Sequence, residues 1–552
     1  MAYLFLAVLL VAVFAELFLN VCSLVTGASA FETLIKKDEH PYPGNPADYV
    51  KVAVFGESAA AGWASERNFT HIIDYELKKK CPDLKFHIRN YAECSATFHR
   101  GQAEILKSVI DKYDVFLIYA GNNEHLPYLL DSAGAAVLEG ESDAWGALVR
   151  FLAGNSRVYA ISTKMARCYV SPLFTKAAFL RGIRDKDSAP RKPGLFEDST
   201  RVPWSERTKI IATFQRDLEE IADLVQRKQR YLIISSVPVN ENYKPLFSVV
   251  SSTLGDNERN LLYRRYYRGI EKFEQGDFPG AIEFFSQARL IDENVAIINY
   301  MIGQTYLRLG NLKEGRRYLG ISSDYDGFMA RALNAYWPAT KSIANKYPNV
   351  CYVDSVAAFH SALDQGVQYA ELFPDIHHPS LMGHIIVANG FLCKISQLPQ
   401  LRNCFDQQVC RDLTPSELRS LVKRYRQVLG VTPHDDSMVA LQISRMNLAY
   451  SLSFPNSADY LPTAETNIFR FYENSDRTPQ TRAKMCIFLA MIETERENFT
   501  KALNYANEAL ALSPFTAWSI LIEPLPIGHS AYNIFKRAGI SYSESEDRFI
   551  LR

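Results

Sequence analysis

Five short apolar runs constrain this chain more than any other feature: "VKVAVFG", "LKFHIRNYA", "YDVFLIYAG", "RYLIISSVPVN" and "NVCYVDSVAAF". Each is rich in β-branched or aromatic residues and runs into turn or polar residues, and helical patterns lie between them. Strands buried on both faces read as continuous apolar runs, and parallel neighbours need long crossovers. The expectation is an α/β fold with a parallel sheet covered by helices on both faces. The first run passes directly into Gly56-Glu57-Ser58. Open α/β sheets gather their chemistry at the carboxyl ends of strands. Ser58 is therefore either a nucleophile at that edge or a helix N-cap, for which serine is well suited.

With 552 residues, the chain exceeds one core and suggests about three folding units. Lysine plus arginine equals aspartate plus glutamate at 61 each, so no global field draws it to nucleic acid. From Ala2 to Phe31 only Glu16 is charged, a run longer than the ~20 residues that cross a bilayer as a helix. A transmembrane anchor over 1–30 competes with a cleavable signal peptide ending at Ala28-Ser29-Ala30. The length of the run and the lack of a basic start favour the anchor. Of nine cysteines, Cys22 lies in that run, leaving eight that could pair in an oxidising compartment. Cys393, Cys404 and Cys410 cluster, and a Cys404–Cys410 bond could close a small loop. No C-x-x-C spacing occurs, so metal binding is not expected, and no cofactor is expected.

The stretch between the fourth and fifth runs is too long for one crossover and contains a repeat. Gly269, Gly276, Phe278, Ala281 and Phe285 are answered 34 residues later by Gly303, Gly310, Leu312, Gly315 and Leu319. That period, with small residues facing large ones, resembles tetratricopeptide repeats. A third copy lies at 483–516, where Ala490, Phe499, Ala502, Ala506, Ala509 and Pro514 hold matching positions. The expected organisation is a sheet domain at 45–260 and 324–400, a repeat insert at 261–323 and an all-α tetratricopeptide-like domain at 413–552. Such repeats usually present concave surfaces, so a protein partner is expected there.

Four blocks follow strand ends in order: Gly56-Glu57-Ser58, "NYAECSAT" (90–97), "YAGNNEH" (119–125) and "DIHHPSLMGH" (375–384). Together they resemble the SGNH (GDSL-type) hydrolase family, over about residues 48–400. The likeness is greatest to its bacterial membrane-anchored members with an inserted tetratricopeptide segment. The resemblance implies a three-layer αβα sheet and a serine hydrolase acting on esters, or an O-acyltransferase. It also implies an inner-membrane anchor, a periplasmic body and an acylated envelope glycan as substrate.

A serine hydroxyl is a poor nucleophile without a base. His378 can supply one, and Asp375, three residues earlier, can orient it; His377 is the rival. By the resemblance, the Asn123 amide and the backbone N–H groups of Ser58 and Ser95 hold the oxyanion. Ser95 stands where the family usually has glycine, as does Ala92, and Glu57 replaces the commoner aspartate. Asn240 in "VPVN" and Arg331 in "YDGFMAR" match positions often kept in the subgroup and are expected at the substrate. A scaffold subunit with a residual triad, binding partners through its repeats, is the alternative reading.

Overall fold

β1 (Tyr49–Gly56) carries the first apolar run and sits inside the sheet; Val52 to Phe55 are at most 1% exposed. The other strands are β2 (Lys85–Asn90), β3 (Val115–Tyr119), β4 (Tyr231–Ser235) and β5 (Val350–Val353). All pairings are parallel, in the order β2-β1-β3-β4-β5, with Val54 opposite Asn90 and Gly56 opposite Tyr119. This computed structural model describes residues 45–124 and 204–551, except 64, 66, 95, 329–330, 406–409, 454–456, 523–524, 526–533, 537, 544–545 and 547. The anchor expected over 1–30 lies outside the described residues. Among the described residues no helix is long and apolar enough to cross a membrane.

The strand order reverses between β1 and β3, since β2 lies to one side of β1 and β3 to β5 lie to the other. Such a reversal opens a crevice at the carboxyl ends of the two strands. Right-handed crossovers put the helices of leftward and rightward connections on opposite faces. After the single turn α1 (Ser58–Ala61), α2 (Phe69–Lys80) serves the leftward step, while α3 (Ala103–Ser108) and α4 (Trp204–Arg227) serve rightward ones. The Asn68 side chain caps α2 by accepting from the Thr70 N–H, and three lysines in its last turn suit the helix dipole.

Between β4 and β5 the chain builds α5 (Asp256–Glu274), α6 (Phe278–Arg289), α7 (Ala296–Arg308) and α8 (Leu312–Tyr325). They pack as two successive hairpins around their own apolar cluster, which includes Leu262, Phe285, Ile298 and Ile302. A Cβ at Gly269 would lie 2.4 Å from the Phe285 ring, and one at Gly303 would lie 2.8 Å from Leu319. The same close approach thus recurs 34 positions apart. The return point is fixed by a buried ion pair: Arg331 meets Asp326 at 2.7 Å, each 1% exposed. Asp326 also accepts the N–H groups of Leu246 and Phe247, clipping the end of the excursion to its beginning.

The sheet domain then completes with α9 (Tyr336–Lys346), α10 (Ser355–Asp364), α11 (Tyr369–Leu372) and α12 (Leu381–Ile395). α12 packs beside α2, with the Phe391 ring 5.4 Å from that of Phe69. Three expectations need correction beyond it. α13 (Pro415–Val428) belongs to the sheet core through Leu418 and Tyr425, and Glu76 of α2 accepts from both Arg424 and Tyr425. A separate C-terminal cluster begins at Ala440, within α14 (Pro433–Ser453), and continues through α15 (Ser457–Glu473), α16 (Pro479–Glu495), α17 (Phe499–Leu512) and α18 (Pro514–Ile522). This region is not all helical, because β6 (Ile540–Ser543) and β7 (Arg548–Leu551) form an antiparallel hairpin. Asn507 of α17 secures it with two hydrogen bonds to the Phe549 backbone. The disulfide joins Cys393 to Cys410, not Cys404 to Cys410; Cys404 and Cys81 are free thiols.

Candidate active site

Gly56 ends β1 at a point where no side chain fits: a Cβ would lie 2.2 Å from the Tyr119 carbonyl oxygen and 2.7 Å from the Ala60 Cβ. The chain turns there into α1. Glu57 takes the N-cap position in extended backbone, and Ser58 is the first helical residue. The Ser58 hydroxyl does not cap the helix. It lies 2.8 Å from His378 Nε2.

His378 Nδ1 in turn meets Asp375 Oδ2 at 2.7 Å, so the ring proton sits on that nitrogen and Nε2 is left to accept from Ser58. Asp375 Oδ1 accepts the backbone N–H groups of His377 and His378, at 3.0 and 2.8 Å. Burial pushes the Asp375 carboxyl up, but the charge and hydrogen bonds of His378, with the charge of His377, hold it below the usual carboxylate range. Ser58, Asp375 and His378 are 8%, 1% and 4% exposed. Their chain of contacts is therefore shielded from competing water. His377, the rival histidine, lies beside His378 with ring centroids 4.0 Å apart and the rings tilted by 38°. Trp63, which the sequence pattern did not single out, covers the His378 ring from 4.2 Å.

Asn123 follows β3 on the other side of the crevice. One amide hydrogen goes to the Ala96 carbonyl at 3.0 Å, and an amide has a second to donate. Its position comes from Glu57, whose carboxylate accepts the N–H groups of Gly121, Asn122 and Asn123 at 3.1, 2.8 and 3.0 Å. Asn122 Oδ1 accepts the Ala332 N–H, tying this loop to the return from the insert. Ser95 lies outside the described residues.

Asn240 and Arg331, expected at the substrate, make their hydrogen bonds within the protein. Asn240 donates from Nδ2 to the Asp375 carbonyl and from its N–H to the Ile376 carbonyl, both at 3.0 Å, bracing the loop that carries the acid. Arg331 spends its guanidinium on Asp326 and on the carbonyls of Asn240 and Tyr243. A cation sealed this way holds the Asn240 turn and does not face solvent. Ile376 also packs with Tyr450 and Tyr460, so helices α14 and α15 lean on the acid-bearing loop. No group of three or more metal-ligating side chains occurs among the described residues.

No family model matches the chain, and no curated protein matches it. Among solved structures, an acetylxylan esterase from Geobacillus stearothermophilus is 13% identical, covering 63% of this chain and 94% of its own, with a TM-score of 0.29. An alpha/beta hydrolase enzyme from the metagenome of Lake Arreo, Spain, is 12% identical, covering 65% and 96%, with a TM-score of 0.28. Overlaps this slight carry no argument. The contacts among Ser58, His378 and Asp375 stand on the chain's own geometry.

Proposed function

We propose that this chain is a serine hydrolase of the SGNH type acting on ester bonds, or an O-acyltransferase using the same acyl-enzyme. The observation that carries the reading is the continuous relay Ser58 Oγ to His378 Nε2 to Asp375, at 2.8 and 2.7 Å. Ser58 would attack the ester carbonyl while His378 takes its proton. The Asn123 amide and the Ser58 N–H would bear the oxyanion; losing one such donor typically costs about 10²–10³ in rate. His378 would then protonate the departing alcohol, and water or an acceptor hydroxyl would take the acyl group from Ser58.

The finer parts of the proposal come from the resemblance in the four sequence blocks. They are a membrane anchor at 1–30, a body in the bacterial periplasm and an acylated envelope glycan as substrate. The tetratricopeptide reading of α5 to α8, and a protein partner on those hairpins, draw support from the close packing at Gly269 and Gly303. Hydrolysis of p-nitrophenyl acetate by the purified chain tests the reaction. Ser58→Ala should abolish turnover while leaving the circular dichroism spectrum unchanged. Equal turnover by the variant would overturn the assignment.

A further inference from the structure

Trp63 leaves the same turn as the nucleophile and comes back to meet the base. Its backbone N–H, at 2.9 Å, and that of Gly62, at 3.0 Å, both donate to the Ser58 carbonyl. Gly62 takes a φ of 95°, and a Cβ there would lie 3.0 Å from Asn68 Nδ2 and from the Ser65 carbonyl oxygen. Asn68 is itself held, its Nδ2 donating to the Ala60 carbonyl at 2.8 Å. From this fixed point the half-buried indole reaches the His378 ring, with ring centroids 4.2 Å apart and planes tilted by 39°. Aromatic pairs ordinarily sit about 4.5–7 Å apart. Rings this close meet through their faces, because an edge-to-edge approach would overlap their atoms.

An aromatic face carries negative charge density and attracts a cation, most strongly at tryptophan. His378 is neutral while it waits and becomes a cation when it acts. In acylation the Ser58 O–H bond breaks as His378 Nε2 takes the proton. The serine oxygen bonds the ester carbon through a lone pair, and the carbonyl π pair moves onto its oxygen. The step therefore ends with an imidazolium beside an oxyanion, and attack by water on the acyl-enzyme forms the same imidazolium again. We propose that Trp63 is a positioning residue that stabilises the His378 imidazolium through the face of its indole, raising kcat without changing the affinity for substrate. This rests on the serine-hydrolase reading of Ser58 and His378.

The surroundings of the ring make the contact count. His378 is 4% exposed, so a charge formed there is cut off from bulk water, and a desolvated cation gains most from an aromatic face. Asp375 compensates the Nδ1 edge at 2.7 Å, which leaves the faces of the ring to other neighbours. His377 is one of them, at 4.0 Å, but an imidazole can carry a positive charge of its own and does not supply this attraction. His384 also feels His378; burial pushes it down to about 3, so it stays neutral and adds no repulsion. An attraction that strengthens as the ring becomes charged acts on the transition state more than on the ground state. That difference is what raises kcat.

The test withdraws charge from the indole face while keeping its shape. The full chain is produced with tryptophan and with mono-, di- and trifluorotryptophan. For each, kcat and KM are measured on p-nitrophenyl acetate, beside the rate of Ser58 labelling by a fluorophosphonate. Both log kcat and the log labelling rate should fall stepwise with each fluorine, at unchanged KM. The steps should run towards the loss of about 30-fold expected of Trp63→Leu. The chain has five tryptophans, among them Trp337 beside the Gly121 turn. Trp63→Phe fluorinated in the same way reports all the others and should show no steps. Without fluorine, Trp63→Phe keeps a ring face and should retain more activity than Trp63→Leu, with circular dichroism recording the fold of both. Rates indifferent to fluorine, or the same steps in Trp63→Phe, would overturn the proposal while a labelled Ser58 left the hydrolase reading standing. A parent that takes no label would overturn both.

Discussion

His378 Nε2 lies 2.8 Å from Ser58 Oγ although 320 positions separate them in the chain. Ser58 is delivered by the turn out of β1, which only glycine at position 56 permits. His378 is delivered by a loop braced through Asn240 and packed against Tyr450 and Tyr460. Helices far from the sheet in sequence therefore help to hold the base in place.

Asp375→Asn should lower turnover by about 10⁴ with little change in fold. The new amide can still accept the two backbone N–H groups, but its nitrogen would face His378 Nδ1 and drive the ring proton to Nε2. The ring could then no longer accept from Ser58. For the parent, the Asp375 carboxyl is held below its ordinary range, so its contribution to stability is present above that range. It is lost as pH falls through the folded value, and acid titration of the parent against the variant measures the difference.

Arg331→Met should destabilise the protein by about 3–5 kcal/mol, because it leaves Asp326 buried without its counter-charge. Arg227→Ala breaks an exposed pair with Asp223, at 66% and 49% side-chain exposure, and should change stability by less than about 1 kcal/mol. Urea unfolding of both variants checks the contrast. Equal effects would mean that the Arg331 pair does not secure the insert.

Much of the sheet was legible because its signal is local: apolar runs mark strands wherever they pair. The Asp375 to His378 spacing is equally local, falling within one turn of chain. The internal contacts of Arg331 and Asn240 are not legible in the sequence, for the opposite reason. Their partners, Asp326 and the Asp375 and Ile376 carbonyls, are brought to them by the fold, and no spacing states that a cation will be sealed from water. Asp326, five residues ahead of Arg331, was the one available hint. The clamp made by Glu57 on the Asn123 loop joins residues more than sixty positions apart and had no local signature. The β6–β7 hairpin escaped because four-residue strands are too short for alternation to stand out from a helical background. Three neighbouring cysteines allow several pairings, and only the fold separates them, by bringing Cys410 to Cys393.

Peptide mapping without reduction should recover Cys393 linked to Cys410. Closing a loop of 17 residues is worth about 3 kcal/mol, so reduction should lower the unfolding midpoint. Burial pushes the Cys81 thiol up to about 12, and the neighbouring Cys404 thiol adds to this. Cys81 should therefore resist alkylation in the native protein and react once it is unfolded. A Cys404–Cys410 peptide would contradict the pairing.

The most direct test of the central claim is mass spectrometry of the purified chain after exposure to a fluorophosphonate. The account predicts one adduct, on the peptide carrying Ser58, absent from Ser58→Ala and strongly slowed in His378→Ala. A folded protein that takes no adduct, or takes it on another serine at the same rate in all three, would show that Ser58 and His378 meet without forming a nucleophile.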